Sequence, residues 1–203
     1  MRFRQVHLDF HTSEHIPDIG KRFDKKQFQE ALKLGHVDSI TVFSKCHHGW
    51  SYHPTKANRM HPGLSFDLLG AQIEAAHEID VRPPVYISAG FDEKYAHEHP
   101  EHLVRRREQV LNPPEDFSRA GYHLLCFNTP YIDTLIAQVK EVCENYDADG
   151  LFLDITAPRV CYCKYCMRTL SERGLDPMDP DNAKALSEEV YANYTAAMRA
   201  AAD

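Results

Sequence analysis

The chain has 203 residues, 43% hydrophobic and 26% charged, a composition that supports a globular core and excludes disorder. Its net charge is -7 and its longest basic run is Arg105-Arg106-Arg107, which excludes a surface that tracks nucleic-acid phosphates. No apolar stretch approaches the roughly 20 residues that cross a bilayer, so no membrane partner is expected. The chain opens on Met1-Arg2-Phe3-Arg4 instead of an apolar signal segment, and three of its six cysteines fall within six positions, too close for a disulfide framework. Both features point to a reducing, cytoplasmic setting, and the length to a single domain over 1–203.

Val6-His7-Leu8-Asp9-Phe10-His11 alternates apolar and polar residues and predicts a first strand. Asp24 is placed to cap a helix over 25–34, with Phe28, Ala31 and Leu32 on its apolar face and Gly35 closing it. The β-branched run 39–44 predicts a second strand, followed by a polar loop over 45–62. That loop far exceeds the usual length of about 2–6 residues between a strand and a helix, and it is rich in His, Trp and Tyr. An amphipathic helix is expected over 66–79, a third strand over 81–90, and a short helix over 102–110 ended by Asn112-Pro113-Pro114. Thr129 and Pro130 start a helix that runs to about Tyr146. A fourth strand over 150–155 and helices over 167–173 and 183–202 complete the chain.

Four strand–loop–helix units predict an α/β protein with a parallel sheet, and each polar or aromatic feature falls just after a strand. That is the arrangement of a (β/α)8 TIM-type barrel, which has eight such units in about 250 residues, so the expectation is its N-terminal (β/α)4 half. A half barrel exposes two sheet edges and an apolar inner face, so its partner is expected to be a second copy in a homo-oligomer or a missing C-terminal half.

Two stretches carry chemistry. Asp154 ends the apolar run Gly150-Leu151-Phe152-Leu153, where an ionised carboxylate is costly unless it is paired or used. A helix cap or an ion pair with Arg159 would be its structural role; a glycosidase nucleophile would be its functional one. Cys161-x-Cys163-x-x-Cys166 offers three thiolates, and a structural zinc needs a fourth ligand from Cys126, Cys143 or Cys46. Cys126 is preferred, because it lies in a loop before a helix whereas Cys143 falls within one. Four thiolates leave no open position, so such an ion would brace the fold and not act on substrate. In the long loop, His47, His48, Trp50, Tyr52 and His53 combine hydrogen-bonding groups with aromatic faces, as a site that grips a sugar does. His11, Glu14, Asp92 and Glu93 follow other strands and are expected on the same rim, with Asp92 also placed to cap a helix.

These residues carry resemblances. The cysteines of Cys126-Phe127-Asn128-Thr129-Pro130-Tyr131 and Cys161-Tyr162-Cys163-Lys164-Tyr165-Cys166 resemble the zinc-binding pattern of microbial beta-galactosidases that share a barrel and a trimerisation domain. The resemblance implies zinc at Cys126, Cys161, Cys163 and Cys166. It stops at the catalytic position, where Asp154-Ile155 stands in place of that family's Asn-Glu pair. Phe43-Ser44-Lys45-Cys46-His47-His48-Gly49-Trp50 resembles the His-His segment of alpha-L-fucosidases, which implies sugar contacts at His47 and His48 and a nucleophile at Asp154. Over nearly its full length the chain resembles the hypothetical glycosyl hydrolase 6 family.

The leading expectation is a retaining glycoside hydrolase acting on a carbohydrate of fucoside or galactoside type, with Asp154 catalytic and His11, His47, His48, Trp50, Tyr52 and Asp92 binding substrate. One alternative is a metal-dependent hydrolase whose zinc is held by His7, Asp9 and His11 on one face of the first strand. Another is a non-catalytic barrel fragment that binds carbohydrate.

Overall fold

The computed structural model describes residues 2–110, 117 and 120–203, so Asn112-Pro113-Pro114 lies outside the described residues. Strands β1 (Gln5–His7), β2 (Ser39–Lys45), β3 (Val85–Ser88) and β4 (Leu151–Asp154) form one parallel sheet in the order β1-β2-β3-β4. Helices α1 (Lys25–Leu34) and α2 (Leu68–His77) follow β1 and β2; α3 (Glu93–Glu98) and α4 (Tyr131–Asn145) follow β3; α5 (Lys164–Glu172) and α6 (Pro180–Ala202) follow β4. The chain is thus α/β with the strand order of half a barrel. No described helix is long and apolar enough to cross a membrane.

The contacts divide the chain into two compact units, one running up to Ser88 and resuming over Lys140–Asp154, the other made of Ala89–Val139 and Ile155–Asp203. The sheet belongs to the first. Every residue of β2 and β3 is buried, as expected of parallel strands covered on both faces. Phe43, Tyr52, Leu64, Leu68 and Tyr86 form its core, with Phe10 and Phe23 packed against them. Asp24 caps α1 by accepting from Gln27 N, and Asp67 caps α2 by accepting from Gly70 N. In the second unit, α5 and α6 pack together, Phe127 stacks on Tyr194 of α6 at 4.1 Å, and Leu170 and Leu186 cover the cysteines.

Two predicted elements differ. The first strand ends at His7, because Asp9 turns back to His7 Nε2 at 3.0 Å and the chain beyond it pairs with the loop after β2 through Thr12 and Tyr52. Instead of a helix over 102–110 there are two 3-10 turns, Pro100–His102 and Arg107–Gln109, and the helix of this region is α3, capped by Asp92.

The long loop is pinned by one carboxylate. Glu141 of α4 accepts from the Thr55 hydroxyl and from the backbone N–H groups of Lys56 and Ala57. Burial alone would raise its carboxyl, but these three bonds outweigh it and hold the group below the ordinary Glu range. Glu141→Ala should therefore cost about 1.5–3 kcal/mol in urea denaturation at neutral pH. Since the folded state depresses this carboxyl, its contribution is present above the unfolded Glu value and fades as pH falls through the folded one. The difference between wild type and variant should narrow in that acidic window.

Candidate active site and thiolate cluster

The site in the first unit is built on strand register. Phe43 pairs with Tyr86, Tyr86 with Phe152, and Ser88 with Asp154. Side chains on a strand alternate faces, so Tyr86 and Ser88 share one face with Phe152 and Asp154. The rings form a row, Phe43 stacked on Tyr86 at 4.0 Å and Tyr86 on Phe152 at 5.8 Å, with His7 against all three. One step further along this face the polar groups meet.

The Tyr86 hydroxyl donates to Asp154 Oδ2 at 2.7 Å. His47, two residues past β2, lies 2.7 Å through Nδ1 from Ser88 Oγ and 4.0 Å through Nε2 from Asp154 Oδ2. His11 stacks on His47 at 3.9 Å, nearly parallel, and its Nδ1 accepts from the His47 backbone N–H at 3.2 Å. The Asp154 side chain remains 32% exposed, so solvent reaches it. Immediately after it, Ile155 has φ +58°, a left-handed conformation that is strained for a β-branched residue.

The electrostatics follow from burial. Removal from water lowers His47 to about 4, with the neighbouring His11 adding to the effect, and lowers His11 as well. Both imidazoles are neutral at neutral pH. The Tyr86 phenol is driven well above its ordinary value by burial and then by Asp154, so it remains a donor.

The other expected substrate contacts are placed differently. Trp50 is half-buried and edge-on to His61, and it donates to Glu14, whose carboxyl is held low by its own backbone N–H and by that indole. His48 is half-buried in the same loop. For Tyr52 and Asp92 the expectation of sugar contact is corrected by their burial. Tyr52 is enclosed and its hydroxyl is used by Thr12 at 2.7 Å and the Phe10 carbonyl at 3.0 Å. Asp92 is enclosed and accepts from Tyr95 N at 2.9 Å as the cap of α3. His53 is also interior, bonded to Ser44 and the Pro54 carbonyl.

His7, Asp9 and His11 do not form a metal site. Asp9 lies 3.0 Å from His7 and 3.5 Å from His11, but the three do not converge. Among the described residues only two groups bring three or more ligand atoms within 4.8 Å of one another, and this trio is neither. The polar residues that sequence reasoning missed are Tyr86 and Ser88. Their signal was the alternation in Val85-Tyr86-Ile87-Ser88, which sets two hydroxyls on one face of an otherwise apolar strand.

In the second unit, Cys126, Cys161, Cys163 and Cys166 are all buried, with their sulfurs within 4.8 Å of one another and Cys126 Sγ 3.5 Å from Cys166 Sγ. Sulfurs about 2.3 Å from a tetrahedral zinc lie roughly 3.8 Å apart, so this donor set fits that ion. The N–H groups of Arg105 and Cys163 point at Cys161 Sγ, and Asn128 Nδ2 at Cys166 Sγ, as thiolates require. Cys143 is exposed and Cys46 is buried against the Thr12 carbonyl, both outside the group.

The hypothetical glycosyl hydrolase 6 family matches residues 24–155. The chain belongs to this family. Among solved structures it is similar to alpha-L-fucosidase isoenzyme 2 from Paenibacillus thiaminolyticus, with 58% identity and a TM-score of 0.96 over 100% of this chain and 31% of the other. The fold is also similar to the Thermotoga maritima alpha-fucosidase (18% identity, TM-score 0.50, 90% of this chain and 36% of that one). A third likeness is the beta-galactosidase from Bacillus circulans sp. alkalophilus (18% identity, TM-score 0.54, 83% and 23%). No curated protein matches. The chain therefore spans about a third or less of the solved enzymes it resembles.

In the folded chain His47 should titrate with a midpoint of about 4, against an ordinary value of 6.5, when followed by NMR of its imidazole. The unfolded state takes up its proton first, so acidification from 6.5 to 4 favours unfolding. His47→Asn should flatten the loss of stability across that window.

Proposed function

We propose that the chain forms the N-terminal half of a (β/α)8 barrel in a retaining glycoside hydrolase, acting on a fucoside- or galactoside-like sugar with Asp154 as nucleophile. The observation that carries this reading is the environment of Asp154: a carboxylate at the end of β4, held through one oxygen by Tyr86 and open to solvent, beside a neutral stacked histidine pair. The 58% identity to an alpha-L-fucosidase supports the fucoside in particular.

In this mechanism the Asp154 carboxylate attacks the anomeric carbon and forms a glycosyl-enzyme ester, which water then cleaves. Tyr86 keeps Oδ2 in place and so orients the carboxylate. His47 and His11, uncharged, exchange hydrogen bonds with sugar hydroxyls, and Trp50 offers an apolar face to the ring's C–H groups. The proton donor stands about 5–5.5 Å from the nucleophile in enzymes of this class, and no residue of this chain is assigned that role. Zinc held by Cys126, Cys161, Cys163 and Cys166 braces the segments that carry them and supplies no chemistry to the substrate. Reduced thiolates of this kind suit the cytoplasm.

The test is turnover of a panel of nitrophenyl glycosides, including alpha-L-fucoside and beta-D-galactoside, by the full-length gene product. Asp154→Asn should lower kcat on the order of a thousandfold or more with little change in KM. Undiminished turnover in the variant would remove Asp154 from the mechanism, and carbohydrate binding without turnover in either protein would favour a binding module. For the metal, Cys163→Ser should lose bound zinc and thermal stability together; unchanged zinc content would refute the thiolate site.

A further inference from the structure

A second convergence of ligand atoms lies in the second unit, built from imidazole and carboxylate groups in place of thiols. His99, Glu101 and His102 bring one ligand atom each within 4.8 Å of one another. Glu101 Oε1 is 3.8 Å from His99 Nδ1 and 3.6 Å from His102 Nε2. Ligands about 2.0–2.2 Å from a shared ion lie roughly 3.0–3.6 Å apart, and the two distances to Glu101 lie at or just beyond the upper end of that range.

The backbone is fixed for this task. The three residues belong to one turn, with Pro100 at its first position, His102 N donating to the His99 carbonyl at 3.0 Å, and His99 N donating to the Tyr95 carbonyl at 2.8 Å. His102 is buried and oriented from both sides, Nδ1 lying 2.9 Å from the Tyr95 hydroxyl and Nε2 lying 3.0 Å from the Tyr165 hydroxyl. A metal-binding imidazole donates its other N–H to an oxygen that fixes tautomer and ring angle, and the Tyr95 hydroxyl stands where that oxygen is needed. With Nδ1–H turned to Tyr95, the lone pair of Nε2 accepts from the Tyr165 hydroxyl, the proton donor that an ion would displace. The side chains of His99 and Glu101 are each 41% exposed, so solvent reaches the remaining coordination positions.

We propose that His99, Glu101 and His102 form a binding site for a divalent transition ion, distinct from the thiolate cluster and completed by water. Two imidazoles and one carboxylate suit zinc, nickel or cobalt, whereas the thiolates select softer binding, so the two sites differ in ligand chemistry and are separable by mutation. The proposal is independent of the glycosidase reading and of zinc at the cysteines.

The experiment is equilibrium dialysis of the chelator-stripped full chain against Ni2+ or Zn2+, comparing wild type, the double variant His99→Ala/Glu101→Gln, and Cys163→Ser. The double variant removes the two half-exposed ligands and leaves the buried His102 in place, so its fold is retained, as checked by thermal melting. One equivalent of metal lost in the double variant but kept in Cys163→Ser, with only nitrogen and oxygen neighbours in X-ray absorption of that retained ion, is the expected result. An equal metal count in wild type and double variant would overturn the proposal and leave His102 as a buried histidine satisfied by Tyr95 and Tyr165.

Discussion

The pairing of β3 with β4 is the constraint on which the candidate site depends. Parallel register opposes Tyr86 to Phe152 and Ser88 to Asp154, and the two-residue period sends all four side chains to one face. A slip of one residue would turn that face over and leave the Tyr86 hydroxyl without its acceptor. An unsatisfied buried hydroxyl costs about 1–3 kcal/mol, so the Tyr86–Asp154 bond resists such a slip while it positions the carboxylate. The contact that orients the proposed nucleophile also helps to specify the sheet that carries it.

Burial across the sheet is uneven in an informative way. β2 and β3 are enclosed on both faces, whereas Phe152 of β4 is 41% exposed and Leu8, just past β1, is 61% exposed. The row of rings that begins at Phe43 thus ends on an aromatic surface open to solvent. Parallel sheets are stable when both faces are covered, and at its two edges this one exposes Phe152 and Leu8. The chain holds the strand ends that gather the polar groups, within a sheet whose edges are only partly covered.

The sequence made the regular elements legible where local signals were strong and self-contained. Asp24 followed by an apolar stripe marks α1 with the bounds the structure has, and the β-branched run 39–44 marks β2 to within a residue. Legibility failed where tertiary contacts outweighed local pattern. The alternation over 6–11 promised a strand, but Asp9 is drawn to His7 and the following residues to Tyr52. Tyr52 and Asp92 looked like site residues by type and position; whether a polar group faces a cleft or fills a core is decided by neighbours far away in sequence, and here Thr12 and α3 claim them. Cys126 could be singled out among the six cysteines from its place before a helix, because three clustered thiols restrict where a fourth can stand.

The stacked histidines set the charge around Asp154. An imidazolium 4.0 Å from Asp154 would stabilise the carboxylate by about 4 kcal/mol at an effective dielectric of about 20. Burial and the mutual proximity of His11 and His47 prevent this, since a proton on either ring disfavours one on the other. Tyr86 therefore fixes the geometry of Asp154, and the neutral histidine pair beside it supplies polarity without charge.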